Sequence, residues 1–239
     1  MSAEADREIP GWYGKLPSLG DFVSRRLPPD FIQIWDAWLQ DRLQTTRTFF
    51  GDGWRECYLT APIWRFLLLG GVVGQSGWAG ILMPSVDRVG RHFPLTVAVE
   101  LSSYTAAAHT LFDAADWFAT LEDAALSALD VTRGPDDLDA ALATSAFTPP
   151  PNGDVLDSLG VLVPLPAVDA LGTVAKAQAL RAWSIHAGWK GVWWTRGRVG
   201  HDPLMLACNG LPSAEEFAWL LQSRSATEPR RGAAAVAGA

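Results

Sequence analysis

Apolar and polar positions follow two rhythms along this chain. Phe31, Trp35, Trp38, Leu39 and Leu43 recur at helical spacing, with Gln33, Asp36, Gln40 and Asp41 between them. That period puts the apolar side chains on one face of a helix and the polar ones on the other. Pro28-Pro29-Asp30 marks its start, because proline presets φ and an acid suits the positive end of the dipole. Gly51 marks its end. Shorter apolar runs bounded by Gly and Pro predict strands over Gly11 to Leu16, Trp64 to Leu69, Trp78 to Met83, Phe93 to Leu101, Gly191 to Thr195 and Leu204 to Cys208. Phe22 and Val23 resume apolar character after the turn residues Pro17 to Asp21. The strands from Trp64 to Leu101 follow one another with short links and no helix, which predicts an antiparallel meander.

Helical spacing returns over Tyr104 to Asp130, predicting one long helix with Leu111, Ala115, Phe118, Leu121, Ala125 and Leu129 on its buried face. Gly134-Pro135-Asp136-Asp137 breaks it and opens a second helix to about Thr144. Val168 to Ala187 leans helical with Gly188 as its stop, and Pro212-Ser213 opens a last helix bearing Phe217, Leu220 and Leu221. Trp54 to Leu59 fits either a helical turn or a strand. The expected fold is α/β (α+β): a mostly antiparallel central sheet with helices packed on its faces, in one domain over residues 11–222. A proline-rich connection is expected at about 147–166, with disordered ends over 1–10 and 223–239.

Composition narrows the function. Hydrophobic residues are 49% and charged residues 19%, enough for a sizeable core, and the 12 tryptophans each bring an indole N–H that needs an acceptor once buried. The net charge of −7 opposes a nucleic-acid surface, which requires a basic field. Cys57 and Cys208 are far apart and read as reduced thiols. Met1 to Pro10 is acidic and lacks the apolar core of a signal peptide. Phe66 to Gly74 falls short of the ~20 residues of a membrane span. A cytoplasmic location is expected.

Candidate chemistry concentrates in Met83 to Leu95. His92, His109, His186 and His201 are scattered without a metal-ligand spacing, so no metal or other cofactor is expected. The glycine-rich Gly70 to Gly77 lacks a Gly-Lys-Ser/Thr ending and precedes a strand, so it reads as a hairpin link and not a phosphate loop. Gly74-Gln75-Ser76-Gly77-Trp78 fails as a nucleophile elbow, because Trp78 replaces the second glycine and no helix follows. What remains is Ser85, Asp87, Arg88 and Arg91 between two strands, with Lys15, Asp21 and Phe22 about the first turn and Arg65 at the start of a neighbouring strand. If these loops meet at one sheet edge, they make a mixed-charge patch rimmed by Trp12, Phe22 and Trp64. Arginine with aromatics suits a protein interface. Charges that only satisfy the loop backbone are the plainer reading. A pocket for a small anion, with Lys15, Arg88 and Arg91 converging, is the third. No catalytic residue is expected, because no general base has a nucleophile beside it.

Several blocks carry a resemblance. Gly11-Trp-Tyr-Gly-Lys-Leu-Pro-Ser-Leu-Gly-Asp-Phe-Val23, Ala61-Pro-Ile-Trp-Arg-Phe66, Gly80-Ile-Leu-Met-Pro-Ser-Val-Asp-Arg-Val-Gly-Arg-His-Phe-Pro-Leu95, Trp193-Trp-Thr-Arg-Gly197 and Gly210-Leu-Pro212 occur in the order found in the TagF (ImpM) family of type VI secretion-associated proteins, which the chain resembles. Trp12 and His92 stand where the family pattern has Phe and Tyr, and the proline-rich middle and the tail match no family pattern. The resemblance implies a cytoplasmic accessory protein that represses type VI secretion post-translationally. It implies a link to a threonine kinase and phosphatase pathway, and binding to the forkhead-associated scaffold protein. It carries over no catalytic residues. The alternative is a small-molecule sensor or enzyme using Asp87, Arg88 and Arg91.

Overall fold

The computed structural model describes residues 8–148, 171–197 and 203–222. Most of the proline-rich connection and the tail from residue 223 lie outside the described residues. The strands are β1 (Gly11–Lys15), β2 (Phe22–Arg25), β3 (Trp64–Leu68), β4 (Gly77–Met83), β5 (Leu95–Leu101), β6 (Gly191–Thr195) and β7 (Leu204–Cys208). They form one 7-stranded sheet in the order β2-β1-β5-β4-β3-β6-β7. Every pairing is antiparallel. The predicted meander is β3-β4-β5 at its centre. Gly80 is required there: a Cβ at this position would come within 2.0 Å of the Val97 carbonyl oxygen on β5.

Helices cover both faces. On one lie α1 (Pro29–Phe50), α2 (Trp54–Thr60) and α7 (Ala214–Gln222). α1 starts and stops where the sequence signals place it, with Asp30 in its first turn and Gly51 in a left-handed conformation (φ 53°) at its end. Its Phe31, Trp35, Leu39 and Leu43 are buried against Phe66, Trp78, Trp193 and Phe217. Trp35 stacks at 6.1 Å on Trp193, and its indole N–H donates to Thr96 Oγ1 at 2.8 Å. One aromatic cluster therefore ties α1 to three strands, each ring pair adding about 0.5–1.5 kcal/mol beyond its buried area. The ambiguous Trp54 to Leu59 segment is helical. Trp54 and Tyr58, at helical spacing, both turn inward.

On the other face lie α3 (Tyr104–Asp113), α4 (Ala115–Ser127), α5 (Pro135–Thr144) and α6 (Leu171–Ala187). The single helix expected over Tyr104 to Asp130 is two. Ala114 leaves helical geometry (φ −99°, ψ 30°), so that α3 packs on α6 while α4 lies across β4 and β5. Ala114 and Ala128 are buried, whereas the expected core positions Ala115 and Leu129 face solvent. No helix among the described residues is long and apolar enough to cross a membrane.

Candidate functional site

The link from β4 to β5 is held from below before it turns outward. Ser85 Oγ donates to the Lys15 carbonyl at 2.7 Å. The Tyr58 hydroxyl donates to the Ser85 carbonyl at 2.8 Å and accepts from the Ser85 amide at 3.1 Å. The Phe93 amide also donates to the Ser85 carbonyl, at 3.1 Å. Ser85 thus joins β1, α2 and the segment leading into β5. Sequence alone carries no sign of Tyr58, whose contact with Ser85 joins α2 to a link 27 residues further along the chain.

Asp87 is the hub of the turn that follows. Its Oδ1 accepts from the Val89 and Arg91 amides at 3.0 and 2.9 Å, which is the local bonding that makes aspartate a turn residue. Its Oδ2 accepts from Lys15 Nζ at 2.8 Å and Arg91 Nε at 2.6 Å. Gly90 closes the turn with φ 83°, a value that favours glycine, and its amide donates to the Asp87 carbonyl at 2.9 Å. Burial disfavours the Asp87 carboxylate, but Lys15, the Arg91 amide and guanidinium and the Val89 amide outweigh it, holding the carboxyl well below its usual range. Lys15 also lies over the Phe22 ring, 4.8 Å from its centre, and Phe22 stacks on Tyr13.

Outward from this base the turn presents different groups. Arg88 is exposed, its amide fixed to the Leu19 carbonyl at 2.7 Å, and its side chain has no ion-pair partner among the described residues. Val89 is 70% exposed and Phe22 41%. Arg91 reaches the Gly20 carbonyl while its side chain stays 61% exposed. Asp21 is exposed and accepts from the Phe22 amide at 2.8 Å. The first turn and the central link therefore do meet, as a ridge.

Arg65 does not join them. Register decides this: Tyr13 pairs with Thr96, Thr96 with Leu82 and Leu82 with Trp64, so these share a face. Lys15 points to the Tyr13 side of β1, and Arg65 points away from the Trp64 side of β3. Arg65 is buried under α4, donates to Glu122 Oε1 at 2.6 Å and lies over the Phe118 ring. The expected rim also changes. Trp12 is fully buried, and Trp64 is buried with its indole N–H on the Leu220 carbonyl, so Phe22 is the aromatic that remains at the surface.

A second charged cluster escaped sequence reading. Asp139 on α5 accepts from the Trp12 indole at 2.8 Å, from Arg25 at 2.5 Å and from Arg26 at 2.7 Å. It clips α5 to the β1-β2 hairpin across more than a hundred residues, a separation with no local signal. An open cleft of about 480 Å3 lies at the end of β1 and β5, lined by Glu8, Arg26, Trp78 and Glu100 among others. Lys15, Arg88 and Arg91 do not line it. Among the described residues no group of His, Cys, Asp and Glu is placed to hold a metal ion.

Comparison with known proteins now gives the chain its relatives. The model of the TagF N-terminal domain, type VI secretion system-associated, matches residues 11–145. The chain belongs to this family. Among solved structures it is similar to the crystal structure of PA0076 from Pseudomonas aeruginosa PAO1, with a TM-score of 0.75, 33% identity, and coverage of 93% of this chain and 98% of that one. No curated protein matches it. The TagF match takes in β1 to α5, and with them the whole ridge and its buried base.

Proposed function

We propose that this TagF-family chain is a cytoplasmic accessory protein that represses type VI secretion post-translationally by binding a regulatory protein of that system, the forkhead-associated scaffold. Through that scaffold it would connect to a threonine kinase and phosphatase pathway. The association of the family with type VI secretion supports the setting. One observation carries the mode of action. The carboxylate that could serve a reaction, Asp87, has both oxygens occupied by Lys15, Arg91 and two amides, while Arg88, Val89 and Phe22 face outward on a turn fixed by those bonds. Arginine on a pre-ordered turn beside exposed apolar surface fits a protein partner, because little backbone freedom is lost on docking.

Capture of purified scaffold by the immobilised full chain tests this. Arg88→Glu with Val89→Asp should remove most of the captured scaffold and restore secretion in cells, with thermal unfolding unchanged. Wild-type capture and wild-type repression by that variant would reject the ridge as the binding surface.

A further inference from the structure

Beside the ridge, the positive charge continues onto the corner where α1 meets α2. Arg47 lies with its guanidinium 4.4 Å from the centre of the Trp54 ring. His92, next in sequence to Arg91, sets its ring edge-on at 5.2 Å to Trp54 and 5.3 Å to Tyr58. Arg55 follows Trp54 in α2 and is exposed. One buried indole thus seats Arg47 and His92 together. Neither Arg47 nor Arg55 has a carboxylate partner among the described residues, and the acids of the same segment, Asp52 and Glu56, are exposed.

We propose that the corner formed by Arg47, Arg55, Arg91 and His92 docks a carboxylate-rich segment of a partner protein, and that His92 takes up a proton as the segment binds. This rests on the reading of the adjoining ridge as a protein-binding surface, and names the chemistry of what it binds. The groups acting on His92 are Arg47 from α1, Arg55 from α2, Lys15 from β1 and Asp87 from its own loop. Asp87 is the acid among them, and Lys15 and Arg91 already hold it. Burial, then Arg47 and Arg55, keep the imidazole below its ordinary pKa. The local field is therefore positive on a chain whose net charge is −7. An arriving carboxylate-rich segment reverses that balance: its several charges offset the two guanidinium groups and favour the imidazolium. By linkage, binding must then strengthen as pH falls through the His92 titration. Charge complementarity selects an acidic segment over a basic one. The negative remainder of the surface selects a protein over nucleic acid.

The test uses the full chain and a fluorescent oligoglutamate peptide, followed by anisotropy. Affinity should rise by about three- to tenfold from about pH 7.5 to about pH 5.5, and fall with added salt. Arg47→Ala with Arg55→Ala should weaken binding about fivefold, as the loss of two exposed ion pairs requires. His92→Asn should keep binding and lose the pH response, and the His92 resonance should titrate higher with peptide present. Absence of peptide binding, a pH response that survives in His92→Asn, wild-type affinity in the double variant, or equal affinity for a DNA oligonucleotide would each overturn the proposal. Failure of the wild-type chain to capture scaffold would remove the parent reading and leave the peptide result standing. Loss of the peptide's pH response alone would remove this one and leave scaffold capture intact.

Discussion

Lys15 and Asp87 meet at 2.8 Å with side chains 7% and 0% exposed, across the gap between β1 and the link from β4 to β5. The two partners are not equivalent. Asp87 retains Arg91 and two amides if Lys15 is lost, whereas Lys15 Nζ has no other carboxylate in contact among the described residues. Asp87→Ala therefore strands a buried ammonium and should cost about 3–5 kcal/mol in urea unfolding. Lys15→Met, which keeps the apolar stem over Phe22, should cost clearly less. Equal costs for the two would mean that the carboxylate depends on the pair as much as the ammonium does.

Acid should find the same bonds. Asp87 and Asp139 are both partly opposed by burial, and both are held below the usual carboxyl range by their donors: Lys15 and Arg91 for Asp87, and Arg26, Trp12 and Arg25 for Asp139. A folded-state pKa depressed below the unfolded value binds fewer protons than the unfolded chain. The stability these groups give is therefore fully present above their unfolded pKa of about 4, and is lost as pH falls from there through the folded values. Unfolding free energy measured from neutral pH downward should be flat to about pH 5 and then fall. Asp87→Asn with Asp139→Asn should start lower and fall less steeply. An equally steep acid limb in that variant would place the titrating groups elsewhere.

How much of this was legible depends on range. α1 was readable because its period, its proline start and its glycine stop agree, and the β3-β4-β5 meander because its links are short. The division of Tyr104 to Asp130 was hidden. An alanine-rich run keeps helical propensity through Ala114, and the contacts that split it come from α6 and the sheet. Asp87 and Arg91 were singled out because an acid among arginines between apolar strands is a local signal, and the structure brings Lys15 to them. The face on which Arg65 lies was not, because it follows from three successive strand registers. Asp139 had no local mark, since its partners are at the other end of the matched domain.

The two thiols should separate by reactivity. Burial, with Glu216 adding to it, pushes the Cys208 thiol up to about 12, and Cys208 Sγ also contacts the Gly210 carbonyl at 3.1 Å. Cys57 is half-buried on α2. With a disulfide reagent at about pH 8, one thiol per folded chain should react readily and the second only on unfolding, because thiolate is the attacking form. Cys57→Ser should abolish the fast reaction. A fast reaction that persists in that variant would show that β7 opens from the sheet under native conditions.

The row Tyr13, Thr96, Leu82 and Trp64 runs across one face of the sheet beneath α1, and both Tyr13 and Thr96 bond to that helix, through Asp36 and Trp35. Its hydroxyl oxygen accepts from the Trp35 indole in a site where both residues are wholly buried. Thr96→Val keeps the shape and removes the acceptor, leaving a buried N–H unpaired at a cost of about 1–3 kcal/mol. Thr96→Ser keeps the acceptor and removes one methyl, a loss of about 1 kcal/mol from reduced apolar burial. If the hydrogen bond positions α1, the valine variant should be the less stable of the two despite being the more hydrophobic. Tryptophan fluorescence should shift in the valine variant alone, because the indole then loses its acceptor while keeping its ring contacts with Phe66 and Trp193. A valine variant as stable as wild type, with unchanged fluorescence, would show that ring packing positions Trp35 without help from Thr96.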